Sequence, residues 1–229
     1  MKFSRRTFLS GSALASVGAV AYAGYRGWLR PTRPSSTGAP GAAQAQSKVD
    51  TAKLHEAPPL GERALGAADA KVVVVEYAST TCPHCATFHK EIFPAVKKDY
   101  IDSGKVRFIF REFPLNDVDL AAVMVARCAP EDKFFPLLDV YFEQQESWTK
   151  GNPRDELFKI AQLAGFTRES FETCLKNEQL AKGILESRDR AESEFGVQST
   201  PTFFINGEVL RGVESPDELR KLIDAALAA

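Results

Sequence analysis

Cys82-Pro83-His84-Cys85 brings two thiols within one turn of each other, at the end of the apolar run Val72-Val73-Val74-Val75-Glu76-Tyr77. A strand-like run, two cysteines with two residues between them and a helical pattern beyond place the first thiol at a helix start. There the unpaired backbone N–H groups and the positive end of the dipole favour its thiolate. This is the layout of a thiol–disulfide redox centre, with Cys82 as nucleophile and Cys85, one turn deeper, as the resolving and leaving thiol. His84 lies inside the loop and can add positive charge or a hydrogen bond to the thiolate. Pro83 suits the first helical position, where its missing N–H costs nothing. The competing reading is a static disulfide, disfavoured because a two-residue gap closes a small, easily strained ring. Zinc would need two further ligands, and His55, His89, Cys128 and Cys174 contain no second close pair, so neither a metal nor another cofactor is expected.

Glu76 stands in the middle of the apolar run ahead of Cys82. An ionised carboxylate there is costly without a partner. Two readings follow: a strand-edge glutamate that reaches water, or a buried acid with an altered proton affinity. Cys128 and Cys174 likewise allow two readings, a second disulfide that is structural or tunes the site, or two buried free thiols. The pairs Phe134-Phe135 and Tyr141-Phe142 read as core rather than as a peptide groove. His89 reads as a surface residue of the helix that follows the cysteines, and Lys97-Lys98 as a solvated helix face.

The elements that must position these residues can be read from periodicity. Residues 72–79 form a continuous apolar run, as expected for a strand covered on both faces. Phe88, Ile92, Val96 and Tyr100 recur every four residues and predict a helix with one buried stripe, broken at Ser103-Gly104. Val106, Phe108 and Phe110 alternate with other residues in a second strand, parallel to the first through a right-handed crossover. Residues 117–196 are helical in period throughout, with the last helix closed by Gly196 as its left-handed stop. Thr202 to Ile205, Asn206-Gly207 and Glu208 to Arg211 then predict a β-hairpin. Ser215-Pro216-Asp217-Glu218 opens a final amphipathic helix with a capping box. The order is βαβ, a helical insert, an antiparallel hairpin and a helix.

The compartment follows from the N-terminus. Ser4-Arg5-Arg6-Thr7-Phe8-Leu9-Ser10 resembles a twin-arginine export signal, lacking only the frequent lysine at position 10. Residues 11–24 are short and only mildly apolar for a membrane span, and Arg26, Arg30 and Arg33 beyond them argue against an anchor. Ala21-Tyr22-Ala23 offers a cleavage site and Ala43-Gln44-Ala45 a more distant one. Residues 1–30 are therefore read as an export signal and the location as periplasmic, with an uncleaved, membrane-anchored form as the alternative. Residues 31–68, rich in Pro, Ser, Thr, Gly and Ala at their start, read as a flexible linker. The formal net charge of -1 excludes nucleic acid as the main partner. With 44% hydrophobic and 26% charged residues, the chain has room for one good core divided between two subdomains.

Taken together, Cys82-Pro83-His84-Cys85 at a strand–helix junction and Ser199-Thr200-Pro201-Thr202-Phe203-Phe204-Ile205-Asn206-Gly207 late in the chain resemble the DsbA-like branch of the thioredoxin superfamily. The resemblance runs from about Lys71 to the C-terminus. It implies an α/β thioredoxin fold with an inserted all-helical subdomain: first half 69–116, insertion 117–196, second half 197–229. It further implies a dithiol oxidase that introduces disulfides into reduced substrate proteins as a monomer and is reoxidised by a membrane redox partner. In that family the nucleophile's pKa is strongly depressed and the potential strongly oxidising. An acid at the place of Glu76 assists proton transfer to and from the buried cysteine. Only about 5–6% of X–Pro bonds are cis, so the expectation that Thr200–Pro201 is cis and docks an extended substrate strand comes from the resemblance. Some DsbA-like proteins also carry a second disulfide like the one open to Cys128 and Cys174. Thr200 before that proline also occurs in isomerase and reductase relatives, so a reductase or isomerase is the alternative direction. A metal chaperone using the same pair is a third reading.

Overall fold

Five strands make the frame that carries the cysteine pair. β1 (Arg63–Leu65), β2 (Val72–Ala78), β3 (Val106–Glu112), β4 (Thr202–Ile205) and β5 (Glu208–Arg211) lie in the order β1-β3-β2-β4-β5. β2 and β3 run parallel, as the crossover pattern predicts, and the remaining pairs are antiparallel. The protein is described by a computed structural model covering residues 48–229 apart from Glu214, within the compact unit Gln44–Ala229. The export signal expected over residues 1–30 and the first part of the linker, 31–47, lie outside the described residues.

β2 is central, so both its faces are covered and its sequence is apolar without alternation. Val72, Val74 and Ala78 join the large core beneath the helical subdomain. Val75 and Tyr77 join the opposite core with Leu54, Phe195 and Phe204. Glu76 shares the face of Val74 and Ala78, in register with Phe110 of β3 and Phe203 of β4. Its position therefore follows from the pleat: an acid placed by period two on the buried side.

The helical run after the cysteines is not uniform. α2 (Pro83–Thr87) passes into a π-helical turn over Phe88–Ile92, then α3 (Phe93–Val96), then a second π-helical turn over Lys97–Ile101. A strict four-residue repeat drifts by roughly 40° per step on an α-helix of 3.6 residues per turn. The π turns underwind the run, and Phe88, Ile92, Val96 and Tyr100 all stay buried. Pro94 supplies the local cause, since it has no N–H to give to the carbonyl four residues back. The N–H of Phe93 bonds Phe88 O instead, five residues back.

Between β3 and β4 the chain forms α4 (Asp117–Cys128), α5 (Phe134–Glu143), α6 (Gln145–Trp148), α7 (Pro153–Gln162), α8 (Arg168–Leu175) and α9 (Glu178–Phe195). Its apolar residues, Phe134, Leu138, Tyr141, Phe142 and Trp148 among them, share one continuous core with β2 and the helical run. Both aromatic pairs are thus core or packed against it. Gly196 ends α9 at φ 65° and ψ 31°. Asn206 and Gly207, at φ 46° and 87°, make the β4–β5 turn. Ser215 accepts from the Glu218 N–H to start α10 (Pro216–Ala228).

Residues 48–68, expected as the end of a flexible linker, are instead built into the frame. The Val49 N–H donates to Gly207 O at 3.0 Å. Asp50 caps α1 (Thr51–Leu54), which buries Leu54 completely. β1 then pairs with β3. Arg127 donates to Leu60 O and Gly61 O at 2.8 and 2.9 Å, and Arg111 to Glu62 at 2.6 Å. These attachments are polar and reach residues far along the chain, so they leave no hydrophobic period to read.

Candidate active site

Cys82 caps the start of α2 with extended backbone (φ -79°, ψ 122°), and Pro83 occupies the first turn, where no N–H is needed. Both Cys82 and Cys85 are free thiols in this structure. The turn that presents them is held from the helical subdomain. Asp119, fully buried on α4, accepts from the Thr80 N–H (2.9 Å), the Thr80 hydroxyl (2.5 Å) and the Leu115 N–H (3.0 Å). Gln145 donates through Nε2 to Thr80 O (2.8 Å) and to Cys82 O (2.9 Å). Asn116 donates to the Thr81 hydroxyl at 3.1 Å.

The two thiols diverge in acidity. Hydrogen bonds to the Cys82 sulfur, first from the Cys85 thiol, then from the Thr200 side chain and the backbone N–H groups of Cys85 and His84, outweigh burial. They lower its pKa from 9.0 to about 5. The Cys82 thiol also donates to the Thr200 carbonyl at 3.3 Å. That carbonyl can only accept, so it favours the neutral form and is overruled by the donors. Burial pushes Cys85 the opposite way, well above 9.0, reinforced by the hydrogen bond it gives to Cys82 and by the charge of Glu76. His84 acts through its backbone N–H, while its side chain is exposed.

Thr200 and Pro201 face the pair from the loop before β4. The Thr200–Pro201 bond is cis. The Thr202 hydroxyl donates to Ser199 O at 2.7 Å, and the Gly212 N–H to Pro201 O at 2.9 Å, so the loop is tied at both ends. Thr200 is partly exposed and Pro201 buried.

Glu76 is fully buried, which removes the reading of a strand-edge residue in water. Its Oε2 lies 2.9 Å from His89 Nε2. His89, expected on the surface, is buried: its ring stacks on Phe142 (centroids 4.1 Å, interplanar 9°) and meets Phe88 and Phe93 edge-on or tilted. The first π turn carries it there. Pro94 in mid-helix was the available signal that the helical phase would change at this place. Gln145 and Asp119 carried no signal, because their roles depend on the helical subdomain folding back over the turn.

Cys128 and Cys174 are joined by a disulfide between α4 and α8, with Cys128 exposed and Cys174 buried. Among the described residues no group of three or more His, Cys, Asp or Glu side chains could hold a metal ion. No helix among them is long and apolar enough to cross a membrane.

Comparison with known proteins places these features in context. The family profile described as thioredoxin matches residues 60–225. A Rickettsia typhi chain provisionally named a protein-disulfide oxidoreductase is 36% identical over 165 residues, covering 71% of this chain. This chain spans 61% of that relative's length. Disulfide bond formation protein D of Bacillus subtilis is 30% identical over 175 residues, covering 73% of this chain and 78% of its own. The crystal structure of alpha-DsbA1 from Wolbachia pipientis superposes with a TM-score of 0.72 at 30% identity, covering 78% of this chain and 96% of that one.

Proposed function

The chain belongs to the DsbA-like branch of the thioredoxin superfamily, and from that premise we propose that it is an exported protein thiol:disulfide oxidoreductase working as a dithiol oxidase. Cys82 and Cys85 form its redox pair, Glu76 and His84 assist them, and Thr200-Pro201 dock the substrate backbone. The observation that carries this reading is the opposed acidity of the two thiols, about 5 for Cys82 against well above 9.0 for Cys85. A substrate thiolate attacks Cys82 Sγ of the oxidised pair, and Cys85 leaves. The substrate's second thiolate then attacks its own half of the mixed disulfide and expels Cys82 as a stable thiolate. A low pKa makes Cys82 a good leaving group and stabilises the reduced protein, which is what an oxidant requires.

Leu115, 49% exposed beside the Asn116 that holds Thr81, offers apolar footing for an unfolded polypeptide near Cys82. Export through the twin-arginine-type signal of residues 1–30, a periplasmic location, action as a monomer and reoxidation by a membrane redox partner belong to the same proposal. The test is the equilibrium of the Cys82–Cys85 pair with reduced and oxidised glutathione. An oxidase gives a potential well above that of thioredoxin, about -270 mV. A potential near that value assigns the protein to the reductases instead.

A further inference from the structure

We propose that His89 is the solvent-side end of a proton path that serves Cys85 through Glu76, with the groove between the first π turn, α3 and α5 as its mouth. The proposal rests on the exchange chemistry above and extends it. Each catalytic cycle must put one proton on Cys85 and later remove it. Yet Cys85 is 0% exposed and Glu76, whose charge acts on it, is 0% exposed as well. Neither has direct access to water.

His89 bridges that gap. Glu76 is flanked in the sheet by Phe110 and Phe203, and the polar side chain that reaches it is the His89 imidazole. Glu76 Oε1 is buried without a partner among the described residues, leaving one carboxyl oxygen uncommitted. His89 Nδ1 is in the same condition at the other end of the ring. A buried imidazole with one nitrogen on a carboxylate and the other unsatisfied is costly as mere packing. His89 also lines a groove of about 260 Å³ walled by Phe93, Pro94 and Phe142 and rimmed by charge. The titratable groups around it are Glu76 from β2, Lys90 and Lys97 from the two π turns, and Asp139 and Glu143 from α5. Burial raises the Asp139 pKa and positive charge on His89 lowers it, so the two side chains sense each other at the mouth. The stack on Phe142 fixes the ring plane, as a relay between fixed partners needs.

The steps balance without a further reactant. When a substrate thiolate breaks the Cys82–Cys85 bond, the electron pair goes to Cys85 Sγ, and that sulfur receives its proton by way of the Glu76 carboxylate, which takes one from His89 Nε2. As Nε2 gives up that proton, Nδ1, buried behind the groove wall, takes one from water that reaches the ring from the groove. Reoxidation runs the same transfers backwards. His89 acts through Glu76 and never touches the reacting sulfurs.

The test follows reduction of the oxidised protein by a reduced two-cysteine peptide from pH 5 to pH 8, read by acid quench and alkylation mass. His89→Gln keeps a donor for Glu76 but cannot pass a proton on. The relay predicts a rate at least about a hundredfold below wild type, the low side of general acid–base contributions, with a pH profile unlike wild type. In His89→Ala, added imidazole should restore the rate. A wild-type rate and profile in His89→Gln overturns the relay, as does a folded His89→Ala that imidazole leaves slow. If His89→Ala fails to fold, the His89→Gln rate and profile decide alone. Wild-type protein that does not exchange with the peptide overturns the proposed function itself, a separate outcome.

Discussion

Glu76 Oε2 and His89 Nε2 lie 2.9 Å apart with side-chain exposures of 0% and 3%, so an acid–base pair is buried between the central strand and a π-helical turn. Two buried polar groups of this kind are coupled more strongly than either is stabilising by itself. His89→Leu leaves the carboxylate unpaired and should cost about 3 kcal/mol, whereas Glu76→Leu with His89→Leu should cost less than the sum of the single changes. Urea denaturation of the four proteins gives the coupling energy directly. Additive losses would mean that the pair is not energetically linked.

That pair also marks where sequence reading stops. Strands β2 to β5, the hairpin at Asn206-Gly207 and the stop at Gly196 were legible because each depends on local pattern or on a residue's own backbone preference. The cysteine pair was legible because its chemistry lies in four consecutive residues. His89 was not, because Pro94 shifts the helical phase around it, and a period drawn through Phe88 and Ile92 on an ideal helix leaves it outside. Residues 48–68 carry no sequence sign of their place in the frame, for a related reason. Their anchors, Arg127 on Leu60 and Gly61 and Arg111 on Glu62, lie far along the chain and contribute no periodic signal.

The acidity of Cys82 can be titrated by thiolate absorbance in the reduced protein, with a midpoint at about 5. Because the Cys85 thiol is the leading cause of that depression, Cys85→Ala should raise the midpoint, and Cys85→Ser, which keeps an O–H donor, should raise it less. Thr200→Val removes a second donor and should also raise it. The linkage sign is fixed by the direction of the shift. A depressed folded-state pKa contributes stability that is present above the unfolded value of about 9 and is lost as pH falls towards about 5. Cys85 works in the opposite sense: its raised pKa contributes below about 9 and is lost as pH rises through its folded value. Reduced protein should thus lose its stability advantage over oxidised protein as the pH is lowered from 7 to 5, measured by denaturation of both forms. An advantage that does not change over that range would contradict a thiolate at Cys82.

Gln145 joins the helical subdomain to the catalytic turn through Thr80 O and Cys82 O. Gln145→Ala leaves both buried carbonyls without that donor, though Cys82 O still accepts from the Ala86 N–H at 3.1 Å. The cost should therefore be concentrated at Thr80 and amount to about 2 kcal/mol. In a chain of this size that lowers the melting temperature by roughly 4–8 °C. Calorimetry measures it. A change below one degree would show that the turn holds itself and that Gln145 only lies against it.

The Cys128–Cys174 disulfide closes a loop with a sequence separation of 46. On a chain-entropy account such a cross-link stabilises by about 4 kcal/mol, mainly by restricting the unfolded chain. Around it, Val123, Met124 and Ile184 form a small apolar cluster with Cys174 that packs against Leu60, Phe166 and Leu180. That cluster can hold α8 against α4 after the bond is gone. The double variant Cys128→Ala, Cys174→Ala should accordingly keep the native circular dichroism spectrum and lose up to about 4 kcal/mol in urea. The denaturant slope decides where the loss arises. Freed of the cross-link, the unfolded chain exposes more surface, so the slope should rise as the midpoint falls. A lower midpoint at unchanged slope would place the cost in native packing around Cys174 and contradict the entropic account.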